Sequence, residues 1–107
     1  MFATIRRYTI RDPATAKDAL TSLKQRIEEK FAPKLQDVPG FHCYYVINAR
    51  DRELVTVSIF ENAAGAQEST RRAAEFVRND PLKDRLSPPD VMEGDLLVSR
   101  EAAVGAH

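Results

Sequence analysis

Two strand-like runs at the centre of the chain, joined by a short polar segment, constrain everything around them. Phe41 to Asn48 is rich in aromatic and β-branched residues, and Leu54 to Glu61 alternates apolar and polar side chains. Only Ala49-Arg50-Asp51-Arg52-Glu53 separates them, so they pair as an antiparallel hairpin. On the N-terminal side, Ala16, Leu20, Leu23, Ile27, Phe31 and Leu35 recur at three- and four-residue steps and make one apolar stripe of a helix. Asp12-Pro13 reads as its start, with Thr15 and Asp18 as a second capping pair. Pro33 is expected to kink or tighten the last turn, and Pro39-Gly40 ends the element. On the C-terminal side, Ala63 to Asn79 reads as a helix with Ala66, Thr70, Ala73 and Val77 inward. Glu68/Arg72 and Arg71/Glu75 form i,i+4 pairs on its exposed faces.

Two further strands complete the pattern, Phe2 to Ile10 before the first helix and Val91 to Ser99 after Pro88-Pro89. The order β-α-β-β-α-β folds, with short connections and right-handed crossovers, into the α+β ferredoxin-like arrangement: a four-stranded antiparallel sheet with both helices on one face. One domain spans residues 1–100, and 101–107 reads as a flexible tail. Assigning the more apolar set of each strand to the core places Ala3, Ile5, Cys43, Tyr45, Ile47, Val55, Val57, Ile59, Leu96 and Val98 under the helices. The opposite face then carries Arg6, Tyr8, His42, Tyr44, Ser58, Phe60 and Glu93 together with Thr4, Val46, Leu54, Thr56 and Asp95. Nothing in the chain covers that face, so a second copy is expected to cover it, giving a homodimer through the sheet.

Composition narrows the function classes. Lys plus Arg and Asp plus Glu number 16 each, so no net field draws the chain to nucleic acid or to a membrane surface. The third strand also lacks the basic-Gly-aromatic run of an RNA-recognition domain, which shares the same element order. The N-terminus lacks the basic region and long apolar run of a signal peptide, and the lone Cys43 fits a reducing compartment, so a cytoplasmic location is expected. Cys43 and His42 are consecutive strand residues pointing to opposite faces, a poor geometry for a nucleophile and its base. With only His42, Cys43 and His107 beside the carboxylates, no zinc site is expected. No phosphate-binding glycine loop and no nucleophile elbow occur.

The phrases Phe2-Ala3-Thr4-Ile5-Arg6-Arg7-Tyr8, Phe31-Ala32-Pro33-Lys34-Leu35, Val38-Pro39-Gly40-Phe41 and Val57-Ser58-Ile59-Phe60-Glu61-Asn62 resemble the antibiotic-biosynthesis monooxygenase-like proteins of the dimeric α/β-barrel superfamily. The resemblance spans roughly Phe2 to Ser99. It implies a dimeric α/β barrel and a small monooxygenase-like protein, cofactor-independent, binding a small aromatic or polyketide-like molecule. The alternative is a non-catalytic dimeric binding or stress-related module of the same fold. The haem-degrading branch has a Trp near the end of the third strand, a His on the following helix and an Asn on the first strand. Here those regions offer Phe60, Ser69-Thr70 and Thr4 or Arg6, so no haem and no other cofactor is expected. Among the gathered side chains, His42 is the candidate base, Arg6 the holder of an anion or enolate, and Tyr8 or Tyr44 the donor to a carbonyl oxygen. Ser58, Phe60 and Glu93 are the candidate ligand contacts.

Overall fold

The computed structural model describes residues 1–50 and 52–102. Strand β1 (Phe2–Thr9) leads through a turn at Pro13–Thr15 into helix α1 (Ala16–Arg26). A wide π turn (Ile27–Phe31) joins α1 to a short α2 (Ala32–Gln36). The hairpin β2 (Phe41–Arg50) and β3 (Glu53–Phe60) follows, then α3 (Ala63–Arg78) and β4 (Asp90–Asp95). The sheet is antiparallel throughout, in the order β2-β3-β1-β4. This is the ferredoxin-like arrangement expected from the element order. None of the described helices is long and apolar enough to cross a membrane. The expected tail lies, from residue 103, outside the described residues, and Leu97 and Val98 beyond the end of β4 are exposed.

Local chemistry explains the helices. Asp12 accepts the Ala14 N–H at 3.1 Å ahead of Pro13, while Thr15 caps nothing and instead donates its hydroxyl to Asp12. Asn62 accepts the Gly65 N–H at the start of α3. All six residues of the expected apolar stripe, from Ala16 to Leu35, are buried. Pro33 acts differently from the expectation. It supplies no N–H, and its ring would crowd the carbonyl four residues back. The chain responds by widening the preceding turn rather than tightening it, with the Ala32 N–H reaching back to the Ile27 carbonyl. Gly40, at φ 83°, makes the sharp turn into β2, where a Cβ would stand 2.9 Å from that of Glu61.

The sheet faces are the reverse of the expected assignment. Thr4, Arg6, Tyr8, Leu54, Thr56, Ser58 and Phe60 are buried beneath the helices. Ile5, Tyr45, Ile47 and Met92 are exposed on the other face. The register makes the division explicit. On the open side a continuous apolar row runs Met92, Ile5, Val57, Tyr45 across all four strands; on the helix side the adjacent rows are Glu93, Thr4, Ser58, Tyr44 and Val91, Arg6, Thr56, Val46. Apolarity alone misassigned the faces because the helices bring their own Leu, Ile and Phe side chains. The strands need only Tyr8, Leu54 and Phe60 to complete that core.

Charge enters the interior at a second place, between α1 and the segment after α3. Asp80, whose side chain is 1% exposed, accepts from Arg26 Nε at 2.7 Å and Nη2 at 2.9 Å, and from the Leu82 N–H at 3.0 Å. Removing one member of such a pair leaves the other without its partner. Asp80→Ala is expected to lower the unfolding free energy by about 3 kcal/mol, the low end for a buried pair because Arg26 keeps some access to water. Urea denaturation measures it.

Candidate functional site

Arg6 is the unusual residue. Strand alternation turns its side chain under the helices, where it is 2% exposed. Nη2 donates to Ser69 Oγ at 2.9 Å and Thr70 Oγ1 at 3.2 Å on α3, and Nε finds no partner. Among the described residues no carboxylate forms an ion pair with it; Glu93, on the neighbouring edge strand and exposed, acts only through space. A guanidinium carries five N–H donors, so most of its capacity is unused. Thr4 Oγ1, Thr56 Oγ1 and Ser58 Oγ are likewise buried without partners. Buried polar atoms are ordinarily paired, so this row suits a polar ligand group or water.

Around Arg6 the interior holds a cavity of about 20 Å³, walled by Tyr8, Tyr44, Thr56, Ile27 and Phe31 among others. It has room for one water molecule. The rings of Phe31 and Tyr44 meet edge to face at 5.7 Å. Outside this wall a groove of about 550 Å³ runs between α1 and β2, past Leu20, Lys24, Glu28, Val46 and Asn48. Ile27, Tyr44 and Leu54 border both spaces. The groove is of ligand size, and Ile27, Tyr44 and Leu54 stand between it and the Arg6 cavity.

Electrostatics follow from burial. Burial lowers the Arg6 pKa, opposed by coupling to Tyr8, Tyr44 and Glu93. The guanidinium stays charged at neutral pH because its ordinary value is so high. Burial raises the Tyr8 and Tyr44 pKa values, with Arg6 opposing it in both. Both phenols therefore stay protonated and are hydrogen-bond donors over the whole neutral range.

The structure brings together Arg6, Tyr8 and Tyr44 from the expected set. Ser58 lies in the neighbouring row of the same face, and Phe60 packs at the end of the core against Phe41 and Gly65. His42 stands apart. A bulge between Phe41 and Cys43 puts Phe41 into the buried row that Tyr44 continues and turns His42 outward, where its Nε2 lies 2.6 Å from Glu61 Oε2. These residues gather under the helices, and not between two sheets as the face assignment implied. Among the described residues only Ser69 and Thr70 hold the Arg6 head; the sequence marks Thr70 as inward and the pair as standing where the haem-degrading branch has its His, but assigns them no part in the site, and two adjacent hydroxyls within the apolar stripe of α3 are the available signal.

No family model and no curated protein matches the chain. Solved structures do. A dimeric ferredoxin-like protein from an uncultured marine organism has a TM-score of 0.72 at 12% identity, covering 94% of this chain and 98% of its own. The chain shares the ferredoxin-like fold of these structures. The monooxygenase ActVA-Orf6 of Streptomyces coelicolor, solved with the ligand Nanaomycin D, gives 0.65 at 16% identity over 95% and 92% of the two chains. SnoaB of Streptomyces nogalater, a cofactor-independent oxygenase, gives 0.59 at 12% over 92% and 94%. At the level of fold, these neighbours agree with the monooxygenase-like resemblance of the sequence.

The raised tyrosine pKa values have a consequence for stability. Above pH 10 the unfolded chain releases phenolic protons that the folded chain retains, so the folded state binds more protons and stability falls as pH rises. Thermal melts between pH 8 and 11 are expected to show this decline, and the Tyr8→Phe/Tyr44→Phe double variant is expected to flatten it.

Proposed function

We propose that this protein is a monooxygenase-like protein that binds a small aromatic or polyketide-like molecule in the groove between α1 and β2, with an ionised hydroxyl or enol oxygen of the ligand against Arg6. The observation that carries this reading is a buried guanidinium with no ion-pair partner among the described residues, in a cavity that shares three lining side chains with a groove of ligand size. A fixed positive charge in a desolvated site favours the oxyanion over the neutral hydroxyl. Tyr8 and Tyr44 add neutral donors beside it, and Ile27, Phe31 and Leu54 supply an apolar wall for a flat body. The fold-level likeness to oxygenases, one of them cofactor-independent, supports an oxygenation chemistry that needs only molecular oxygen as co-reactant. In such a reaction the enolate carbon is electron-rich. A CH2 group beside the carbonyl becomes C=O, one oxygen atom of O2 enters the carbon, and the other leaves as water with the two hydrogens.

A second copy of the chain is proposed to cover the open face. Tyr45 is 59% and Met92 71% exposed there, in the same cross-strand row as Ile5 and Val57. An uncovered apolar row across a whole sheet is the kind of surface that self-association removes from water. The partner face thus differs from the one first expected: it is the apolar face, and the Arg6 side belongs to each subunit's own interior.

The water-sized inner cavity favours one competing reading, a non-catalytic dimeric module in which Arg6 is only a structural charge. Binding separates the two. Fluorescence titration with hydroxynaphthalenes and hydroxyanthrones is expected to show affinity rising as pH passes the ligand's own pKa. Arg6→Met should lose ten- to a hundredfold, in line with about 1.5–3 kcal/mol for a hydrogen bond to a charged group. Equal affinity in Arg6→Met defeats the proposal. His42→Ala is expected to leave affinity unchanged, and an oxygen electrode reports turnover.

For the assembly, sedimentation at micromolar concentration should give a dimer. Ile5→Asp with Val57→Asp should give a monomer, because two buried carboxylates in the apolar row cannot be paired. A wild-type monomer removes the dimer.

A further inference from the structure

The cleft between the first helical rod and α3 has chemistry of its own, distinct from the Arg6 groove. It measures about 260 Å³ and is flanked by Arg26, Lys30 and Lys34 on one side and by Arg72 and Glu75 on the other. Its floor is aromatic. Phe31 and Phe76 lie with ring centroids 5.2 Å apart, and both rings also border the Arg6 cavity. The far end is closed by Asn79, Asp80 and Pro81.

The charges of this cleft are unevenly satisfied. Arg26 is taken up by Asp80 at 2.7 Å. Glu75 reaches Arg71 at 3.5 Å, outside the cleft lining. Arg72 Nε is 3.3 Å from Glu68, and its Nη1 donates to the Lys34 carbonyl at 2.6 Å, which ties α3 to α2 across the opening. Lys30 and Lys34 form no ion pair with any described residue. They stand four residues apart on consecutive turns, and like charges at that spacing repel. Four cations therefore line the cleft against two carboxylates, in a chain whose overall charge is zero. Two ammonium groups without an ion pair among the described residues line the same cleft as a half-buried guanidinium and the Phe76 ring, a composition suited to an anion attached to a flat apolar body.

We propose that this cleft binds a small organic anion, its phosphate or carboxylate group between Lys30, Lys34 and Arg72 and its aromatic or apolar body against the half-buried Phe76 ring. Such a ligand relieves the Lys30–Lys34 repulsion and covers the exposed part of Phe76. The site does not depend on Arg6 or on any oxygenation chemistry.

Titration of the isotope-labelled protein, followed by amide chemical shifts, tests it with four probes: inorganic phosphate, phenyl phosphate, benzoate and neutral phenol. Shifts are expected at Lys30, Lys34, Arg72 and Phe76. Phenyl phosphate should bind more tightly than inorganic phosphate, benzoate should bind detectably, and phenol should leave the cleft unperturbed. Raising the salt concentration should weaken the binding of the anions. Lys30→Glu with Lys34→Glu should lower phenyl phosphate affinity at least tenfold while keeping the wild-type spectrum elsewhere. Arg6→Met should leave it within twofold, which separates this site from the groove reading. Equal phenyl phosphate affinity in the wild type and the Lys30→Glu/Lys34→Glu variant overturns the proposal, as do shifts confined to residues outside the cleft.

Discussion

A positive charge under the helices organises this molecule. Arg6 sits mid-strand on the face that α3 covers, and among the described residues its head donates only to hydroxyls. Desolvating a guanidinium without a counter-charge costs several kcal/mol, so the elements around it must return part of that through geometry. They do so in specific ways. α3 presents Ser69 and Thr70 at the point of contact, and Ser69 is itself anchored by donating to the Ala66 carbonyl at 2.7 Å. Gly65 and Ala66 at the start of α3 let the helix sit close on Phe60, where a Cβ at position 65 would stand 2.9 Å from the ring. That close seating brings the next turn of α3 within reach of Arg6.

The strand residues beside Arg6 follow the same constraint. Thr4, Thr56 and Ser58 would be poor choices for an ordinary core, and as neighbours of a charge they supply dipoles in a region of low dielectric. Stability is carried elsewhere: by the Leu, Ile and Phe stripe of the first helical rod, by Tyr8, Leu54 and Phe60 at the ends of the strands, and by the Arg26–Asp80 pair. The polar centre thus sits inside an apolar ring, an arrangement that keeps a charge buried at some expense in stability.

Element order, the helix stripe from Ala16 to Leu35, the caps at Asp12 and the Glu68/Arg72 and Arg71/Glu75 pairs are legible in the sequence, because each depends on neighbours within a few residues. The faces of the sheet are not. Period-2 alternation says that Ile5 and Arg6 point oppositely, but not which of them meets the helices. That choice is made by long-range packing. A more apolar face reads as core in a chain that folds alone, and the inference fails where that face is left for another surface to cover. The position of His42 was hidden for a related reason. One extra residue at a bulge shifts the parity of β2, so Phe41 takes the buried place and His42 meets Glu61 in solvent.

Strands β1 and β3 join the two faces mechanically. Ile5 and Val57 are paired in the sheet, and the next pair along the same two strands is Arg6 and Thr56, pointing the other way. The same two strands therefore set both the spacing of the open row and the place of Arg6 beneath α3. The helix side is less regular. The π turn at Ile27–Phe31 has weaker regularity than the helices it joins, and it supplies two of the side chains around the Arg6 cavity. The charge is held on the hydrogen-bonded sheet and faces the least regular turn of the helical layer. Ile27, Phe31 and Tyr44 thus wall the Arg6 cavity, and the sheet carries Arg6 itself.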